Sequence, residues 1–342
     1  MNIQRTLFVL LITVFISCSK AQSPTPDDSA PTGLTIKATV SDDNSGNVSF
    51  EAKAVNAVDY EFDFGNGVYK STATGMITYK YPQAGNYTVK VLAKSAGGKL
   101  ASEVINIVVK VGLSLIWSDE FNSAGAPDPA KWGYDLGTGS GGWGNQEAQY
   151  YTNRAENVVV SNGTLKITAK AESYSGSNYT SARILTKGKF SFQYGRVDVR
   201  AKLPAGGGTW PAIWALGDDI STVGWPACGE IDIMEHVGNS LNKVHFTLHY
   251  PGHSGGNATG TSKMIPNVTT EFKVYSIIWT AESIVFLVDD VPQYTFPNNS
   301  TIPYNKKFFL ILNVAMGGTF GGAIDPAFKT GTMEIDYVRV YQ

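Results

Sequence analysis

The sequence predicts an all-β chain of two sandwiches, a small one first and a larger jelly roll after it. Three observations carry this. Short runs rich in Val, Ile, Thr and Tyr recur with period-two alternation along most of the chain. No long helical pattern interrupts them. Glycine is abundant, at 36 of 342 residues, and aromatics reach 12 %, while charged residues are only 16 %, below the ~25 % common in soluble proteins. That balance suits an exported β protein, and the length suits two domains. A net charge of −2 with no basic run excludes a nucleic-acid binder, whose affinity rests on a cationic surface.

Residues 1–17 read as an address. Arg5 precedes the apolar run 7–16, which is too short for a membrane span but long enough for a signal core. Ser17 stands before Cys18, and a cysteine at that point resembles a bacterial lipoprotein signal, in which it becomes the lipidated first residue. The resemblance implies passage across the inner membrane and anchoring in the outer membrane through Cys18. Residues 18–33 then read as a Ser-, Pro- and Asp-rich tether. With Cys18 acylated, Cys228 has no partner, so no disulfide framework is expected. No basic residue flanks Cys228 to activate it, which favours a structural thiol.

Residues 34–111 hold short alternating runs such as NVSFEAKA and YTVKVLAKS, punctuated by Asn66-Gly67, Gly85-Asn86 and Gly97-Gly98. About seven strands in ~80 residues predict an immunoglobulin-like sandwich. The stretches YEFDFGNG (60–67) and YKYPQAGNYTVKVLAKSAGG (79–98) resemble the PKD domain, common in extracellular bacterial proteins. This segment has no Trp and no His, and reads as a spacer, or as a weak carbohydrate-binding module.

All seven Trp and all four His fall after residue 112, which places the chemistry in 113–342. GTLKITAKA, RVDVRAKL, KVHFTLHY, KVYSIIWT, SIVFLVDD, KFFLILNVA and TMEIDYVRVY alternate there. A domain of that size built from antiparallel strands is most simply a two-sheet jelly roll.

Within it lies GEIDIMEH, residues 229–236. In a strand, Glu230 and Asp232 share one face, and Ile231 and Ile233 the other. Strict alternation would then bury Glu235, at a high cost for a carboxylate. One extra residue near Ile233 and Met234, a β-bulge, returns it to the face of Glu230. The two Glu Cα atoms are then about 13 Å apart at ~3.3 Å per residue. Carboxyls leaning together can approach the ~5–5.5 Å of a retaining glycosidase. Three acids in eight residues also fit a solvated edge strand or a helix turn.

The stretch GWPACGEIDIMEHVG (224–238) resembles the active-site signature E-x-D-x-x-E of glycoside hydrolase family 16, in its laminarinase-type form. WSDEFN (117–122), GWGNQEAQYYT (142–152), TKGKFSFQYGRVDVRAKLP (186–204), GTWPAIWALG (208–217) and IDYVRVYQ (335–342) resemble the same family in the same order. The resemblance implies a concanavalin A-like jelly roll over 113–342, with Glu230 as nucleophile, Glu235 as acid/base and Asp232 as assisting acid. It implies a retaining endo-β-1,3-glucanase (laminarinase), with mixed-linkage β-1,3-1,4-glucan as a second substrate and no catalytic cofactor. Rival readings are a same-fold hydrolase of another β-linked polysaccharide and a non-catalytic glycan-binding protein.

Glucans offer apolar ring faces and hydroxyls, which flat aromatics and amides grip. Trp210 and Trp225, each before a Pro, read as platforms; Trp214 fits a platform or the core equally. The resemblance adds Asn145 and Asn313 as sugar-binding amides, and sets His249 beside the acid/base, with His245 structural. Glu147 reads as a sugar ligand or a loop brace, and Arg183 as a cleft residue or a surface ion pair. The resemblance also implies a structural Ca²⁺ on the face away from the cleft, held through backbone carbonyls and one Asp at Glu120, Gly163 and Asp336. The expected partners are a β-glucan and, through Cys18, a membrane, with the protein acting as a monomer.

Overall fold

The computed structural model describes residues 29–342, so the signal segment and Cys18 lie outside the described residues. The chain divides into two compact units, Met1–Gly112 and Leu113–Gln342. Both are built of strands. Among the described residues, the helical segments are single turns, such as Ile220–Val223 and Gly318–Gly321.

The first unit packs a three-stranded sheet (Thr32–Val40, Asn47–Val55 and Met76–Lys80) on a four-stranded one (Tyr69–Thr72, Asp59–Asp63, Gly85–Lys94 and Leu100–Val109). Alternate residues Phe50, Phe62, Phe64, Val89 and Val91 face inward and are buried. Tyr81 joins them and satisfies its hydroxyl by donating to the carbonyl of Phe64 at 3.0 Å. The expected tether ends earlier than composition suggests. Thr32 and Gly33 already belong to the first strand, with Thr32 opposite Val55, and Asn56 donates its amide to Ser29. A polar, Pro-rich stretch reads as disordered, yet pairing with a neighbouring strand satisfies its backbone all the same.

In the second unit one sheet has seven strands. Their spatial order is Thr259–Met264, Lys243–His249, Glu230–His236, Thr209–Gly217, Phe308–Met316, Arg183–Leu185 and Gly133–Asp135. The opposing sheet is centred on Thr164–Tyr174, Thr330–Tyr341, Gly195–Lys202 and Lys273–Trp279. Between them lies one large core, with Ile213, Ile231, Phe246, Leu310 and Leu312 from the first sheet and Leu165, Val197, Ile277 and Val338 from the second. This core supplies about 1.5–3 kcal/mol for each large side chain buried, and among the described residues no disulfide adds to it. Cys228 is free and buried.

The strand Thr209–Gly217 was not legible as one, because Pro211 lacks the donor a central strand needs. The register explains its tolerance. Pairing with the acid strand begins only at Ala212, opposite Glu235, so the missing N–H falls beyond the ladder on that side.

Candidate active site

Glu230–His236 is the third strand of the seven, and its register carries a bulge. Against Lys243–His249, Asp232 lies opposite Thr247, while Glu235 lies opposite His245. Three steps on one strand thus match two on the other. Against Thr209–Gly217, Met234 pairs with Ile213 and Asp232 with Trp214, leaving Ile233 as the extra residue. Ile231, Ile233 and Met234 are all fully buried in the core. Glu230, Asp232 and Glu235 line a cleft of about 960 Å³ on the other face. The strand starts from Gly229, held at φ +78°. A side chain there would press on Pro303 and Phe308 at about 3 Å, so only glycine delivers Glu230 to this position.

Each Glu carries an indole donor. Trp225 Nε1 donates to Glu230 Oε2 at 2.8 Å, and Trp210 Nε1 donates to Glu235 Oε1 at 3.0 Å. Thr247 Oγ1 stands 3.2 Å from Glu235 Oε2. His249, opposite Glu230 in the register, brings Nε2 to 3.2 Å from Asp232 Oδ2 and 3.8 Å from Glu230 Oε1. Gly255 N–H donates to the Nδ1 of the same ring at 3.1 Å, which puts the ring proton on Nε2, facing the acids.

Glu230, Asp232 and His249 have the convergence of a metal site, their ligand atoms lying within 4.8 Å of one another. The tautomer opposes it, because Nε2 presents a proton rather than a lone pair. The arrangement serves the carboxylates instead.

Burial and the Asp232 charge push Glu230 up to about 8, opposed by His249 and by the Trp225 N–H. Burial, then the charge of Glu235, holds Asp232 well above the usual carboxylate range. Burial also raises Glu235, against the donors Trp210 and Thr247 and the His249 ring. Three neighbouring carboxyls this dry do not all ionise at neutral pH, so the cluster keeps a proton. A carboxylate, a carboxylic acid and a third acid between them are the parts of a double displacement at an acetal carbon.

The description glycosyl hydrolases family 16 matches residues 145–339, which takes in every strand of this cleft except the short Gly133–Asp135. The chain belongs to that family. The PKD domain matches residues 33–109, the first unit. A beta-glucanase of Rhodothermus marinus is 48% identical over 244 residues, covering 67% of this chain and 85% of its own. The solved laminarinase of Rhodothermus marinus has a TM-score of 0.65 and 48% identity, over 68% of this chain and 98% of that one. A protein from Z. galactanivorans, solved in complex with laminaritriose and laminaritetraose, has a TM-score of 0.62 and 43% identity, over 67% of this chain and 99% of that one.

The family 16 cleft gathers most of the residues singled out in the sequence. Trp210, Trp214, Trp225, Asn145, Glu147, Arg183, His249 and Asn313 all line it. Their partners refine several expectations. Trp214 is a cleft residue, and its Nε1 donates to Asn313 Oδ1 at 2.8 Å. Arg183 joins both readings: it pairs with Asp135 at 2.9 Å while its guanidinium lies 4.7 Å from the Trp143 ring and 4.7 Å from the Trp214 ring. Glu147 is a brace, accepting from Asn145, Gln149 and Tyr151. Asn313 likewise spends its amide on Tyr151 at 3.0 Å.

His249 stands across from Glu230 and against Asp232 while its ring also acts on Glu235, and His245 is the residue opposite Glu235 in the register. Cys228 is inert, its thiol pushed up to about 11 by burial and by Glu230.

Sequence reasoning missed Trp143, Thr247 and Phe320, which also line the cleft. Trp143 adopts a left-handed backbone at φ 55° in a glycine-rich turn, which no local pattern announces for a Trp. Phe320 sits on a single helical turn, edge-on to Trp210 and to His245.

The expected calcium residues meet a different fate. Both flanking strands pair with Thr330–Tyr341, which draws Glu120, Gly163 and Asp336 to that strand. Arg339 forks the Glu120 carboxylate, and Arg200 takes that of Asp336. The expected site draws on backbone carbonyls and a single carboxylate, that of Asp336, with which Arg200 pairs.

Proposed function

We propose that this family 16 enzyme is a retaining endo-β-1,3-glucanase, acting on laminarin and, second, on mixed-linkage β-1,3-1,4-glucan. The observation that carries the reading is the bulge at Ile233. It sets Glu230 and Glu235 over one cleft with Asp232 between them. The beta-glucanase and the laminarinase of Rhodothermus marinus, and the Z. galactanivorans structure that holds laminaritriose and laminaritetraose, support the choice of glucan.

In the proposed reaction the Glu230 carboxylate attacks the anomeric carbon while Glu235 gives its proton to the departing glycosidic oxygen. A glycosyl ester on Glu230 results. Glu235, now a carboxylate, takes a proton from water, and the hydroxide adds to the same carbon and releases Glu230. Asp232 raises the proton affinity of Glu230 by its charge. The reaction uses carboxylates and water alone. The cleft walls carry Trp143, Trp214 and Trp225, flat faces suited to pyranose rings.

Laminarin digestion followed by proton NMR tests this. The first new reducing end should be the β anomer, turning to the α form only by mutarotation. An α anomer at the start, or no turnover on any β-glucan of a purified panel, overturns the reading.

The same proposal includes export on the segment 1–17 and anchoring of a monomer to the outer membrane through a lipid on Cys18. Cys18→Ser should move the protein from the membrane fraction to the soluble one. If it stays with the membrane, the lipid assignment fails.

A further inference from the structure

Trp210 and Trp225 were expected to act through their ring faces. Their N–H groups do something more specific. An indole nitrogen donates and never accepts, so the oxygen it touches is a fixed acceptor. Trp225 thereby occupies Glu230 Oε2, and Trp210 occupies Glu235 Oε1. The remaining oxygen of Glu235, Oε2, faces the Thr247 hydroxyl, which accepts as readily as it donates.

We propose that Trp225 and Trp210 are positioning residues of the reaction, each clamping one oxygen of a catalytic carboxylate and so leaving Glu230 Oε1 to attack and Glu235 Oε2 to carry the proton. The inference rests on the roles given above to Glu230 and Glu235. The clamps differ in what they favour. Trp225 stabilises a charge that Glu230 must hold to attack. Trp210 selects the oxygen on which Glu235 is protonated, and steadies Glu235 when it is a carboxylate awaiting water.

Other charges bear on both acids. Glu230 faces Asp232 and Glu235 on its own strand, His249 on the next, and Cys228 on the turn before it, while the Tyr304 hydroxyl approaches its carbonyl. Glu235 faces Asp232, with His245 opposite it and His249 nearby. Arg183 and Glu147 line the same cleft, tied to Asp135 and to Gln149. The strand Thr209–Gly217 contributes no titratable side chain. The indoles are therefore the uncharged partners whose removal leaves this set in place.

Trp225→Phe and Trp210→Phe keep a flat ring and delete the donor. A hydrogen bond to a charged group is worth enough to predict a fall in kcat of about 10-fold or more for Trp225→Phe on laminarin. KM should change by less than about threefold, and the acidic limb of the kcat/KM profile should move up by roughly one pH unit. Trp210→Phe should show a similar loss on laminarin. It should recover most of its rate of aryl release on the dinitrophenyl glycoside of a β-1,3-linked disaccharide, whose leaving group needs no proton. Trp225→Phe should not recover. Melting temperatures are read alongside.

If both variants keep the wild-type kcat and pH limbs and only KM rises, the rings are platforms alone and the inference falls. A loss of kcat with unmoved limbs and a lowered melting point reports packing, and it falls equally. Glu230→Gln and Glu235→Gln, assayed in parallel, separate this from the larger reading. Their activity would overturn the catalytic roles, whereas dead acids with unaffected Phe variants overturn only the clamps.

Discussion

Glu235→Ala should lose laminarin hydrolysis by roughly 10³-fold, and with a dinitrophenyl β-glycoside it should give a burst of one aryl alcohol per enzyme followed by slow turnover. The acid contributes about 10²–10⁴ through proton transfer to the leaving oxygen. A dinitrophenolate leaves without that proton, so the glycosyl ester on Glu230 still forms quickly. Its breakdown needs the same side chain as base, so ester accumulates. Glu230→Gln should show neither burst nor turnover, with a loss on the order of 10⁴-fold or more, since no other group can form the ester. Stopped-flow absorbance on the two variants reads both phases. A burst from Glu230→Gln and none from Glu235→Ala would reverse the roles, and full turnover by either would remove that residue from the mechanism.

The same Glu230→Gln variant should be more stable than the wild type at alkaline pH and no more stable in acid. In the folded chain Glu230 is raised from 4.5 to about 8, mainly by burial and then by Asp232. The three neighbouring acids of the folded state therefore share a proton that the unfolded chain releases, and Glu230 is the ionised member when Glu235 carries it. The stability tied to this proton is complete below about pH 4.5 and is lost as pH rises through about 8. Gln has no proton to lose. Its carbonyl can accept from Trp225, and its amide can donate to Asp232. Between pH 5 and 9 the wild type should lose on the order of 2–4 kcal/mol that the variant keeps. For a domain of this size that amounts to several degrees in the melting point of the second unit, measured by calorimetry at the two pH values. Parallel curves at all pH values would show that burying these acids carries no such cost. The penalty is the mark of a site held in a charge arrangement that suits a transition state better than it suits the folded protein alone.

Much of this was written in local pattern. The strands of both units announce themselves by alternation, because a side chain on a strand has only two faces to choose from. The bulge was legible for the same reason. GEIDIMEH cannot alternate strictly without burying Glu235, so the cost of a buried carboxylate predicts the extra residue that the register shows. Thr209–Gly217 was hidden by Pro211, whose missing donor is harmless only because the neighbouring ladder starts one residue later. Trp143 was hidden by a left-handed turn. The tether was placed too long because its last residues take their order from Val55 and Asn56, more than twenty positions away.

By itself the sequence determined two β-sandwiches, the strand that carries the acids and the face on which they converge, since alternation and the cost of burying charge act between residues a few places apart. Only the tertiary structure decided what each acid touches. Trp210 reaches Glu235 from 25 positions away, Arg183 lies between Trp143 and Trp214, and Asn313 closes on Tyr151 across 162 positions. These partners come from strands that sheet pairing sets side by side, and the order of strands in a sheet is fixed by the packing of the whole core, which no short stretch of sequence contains.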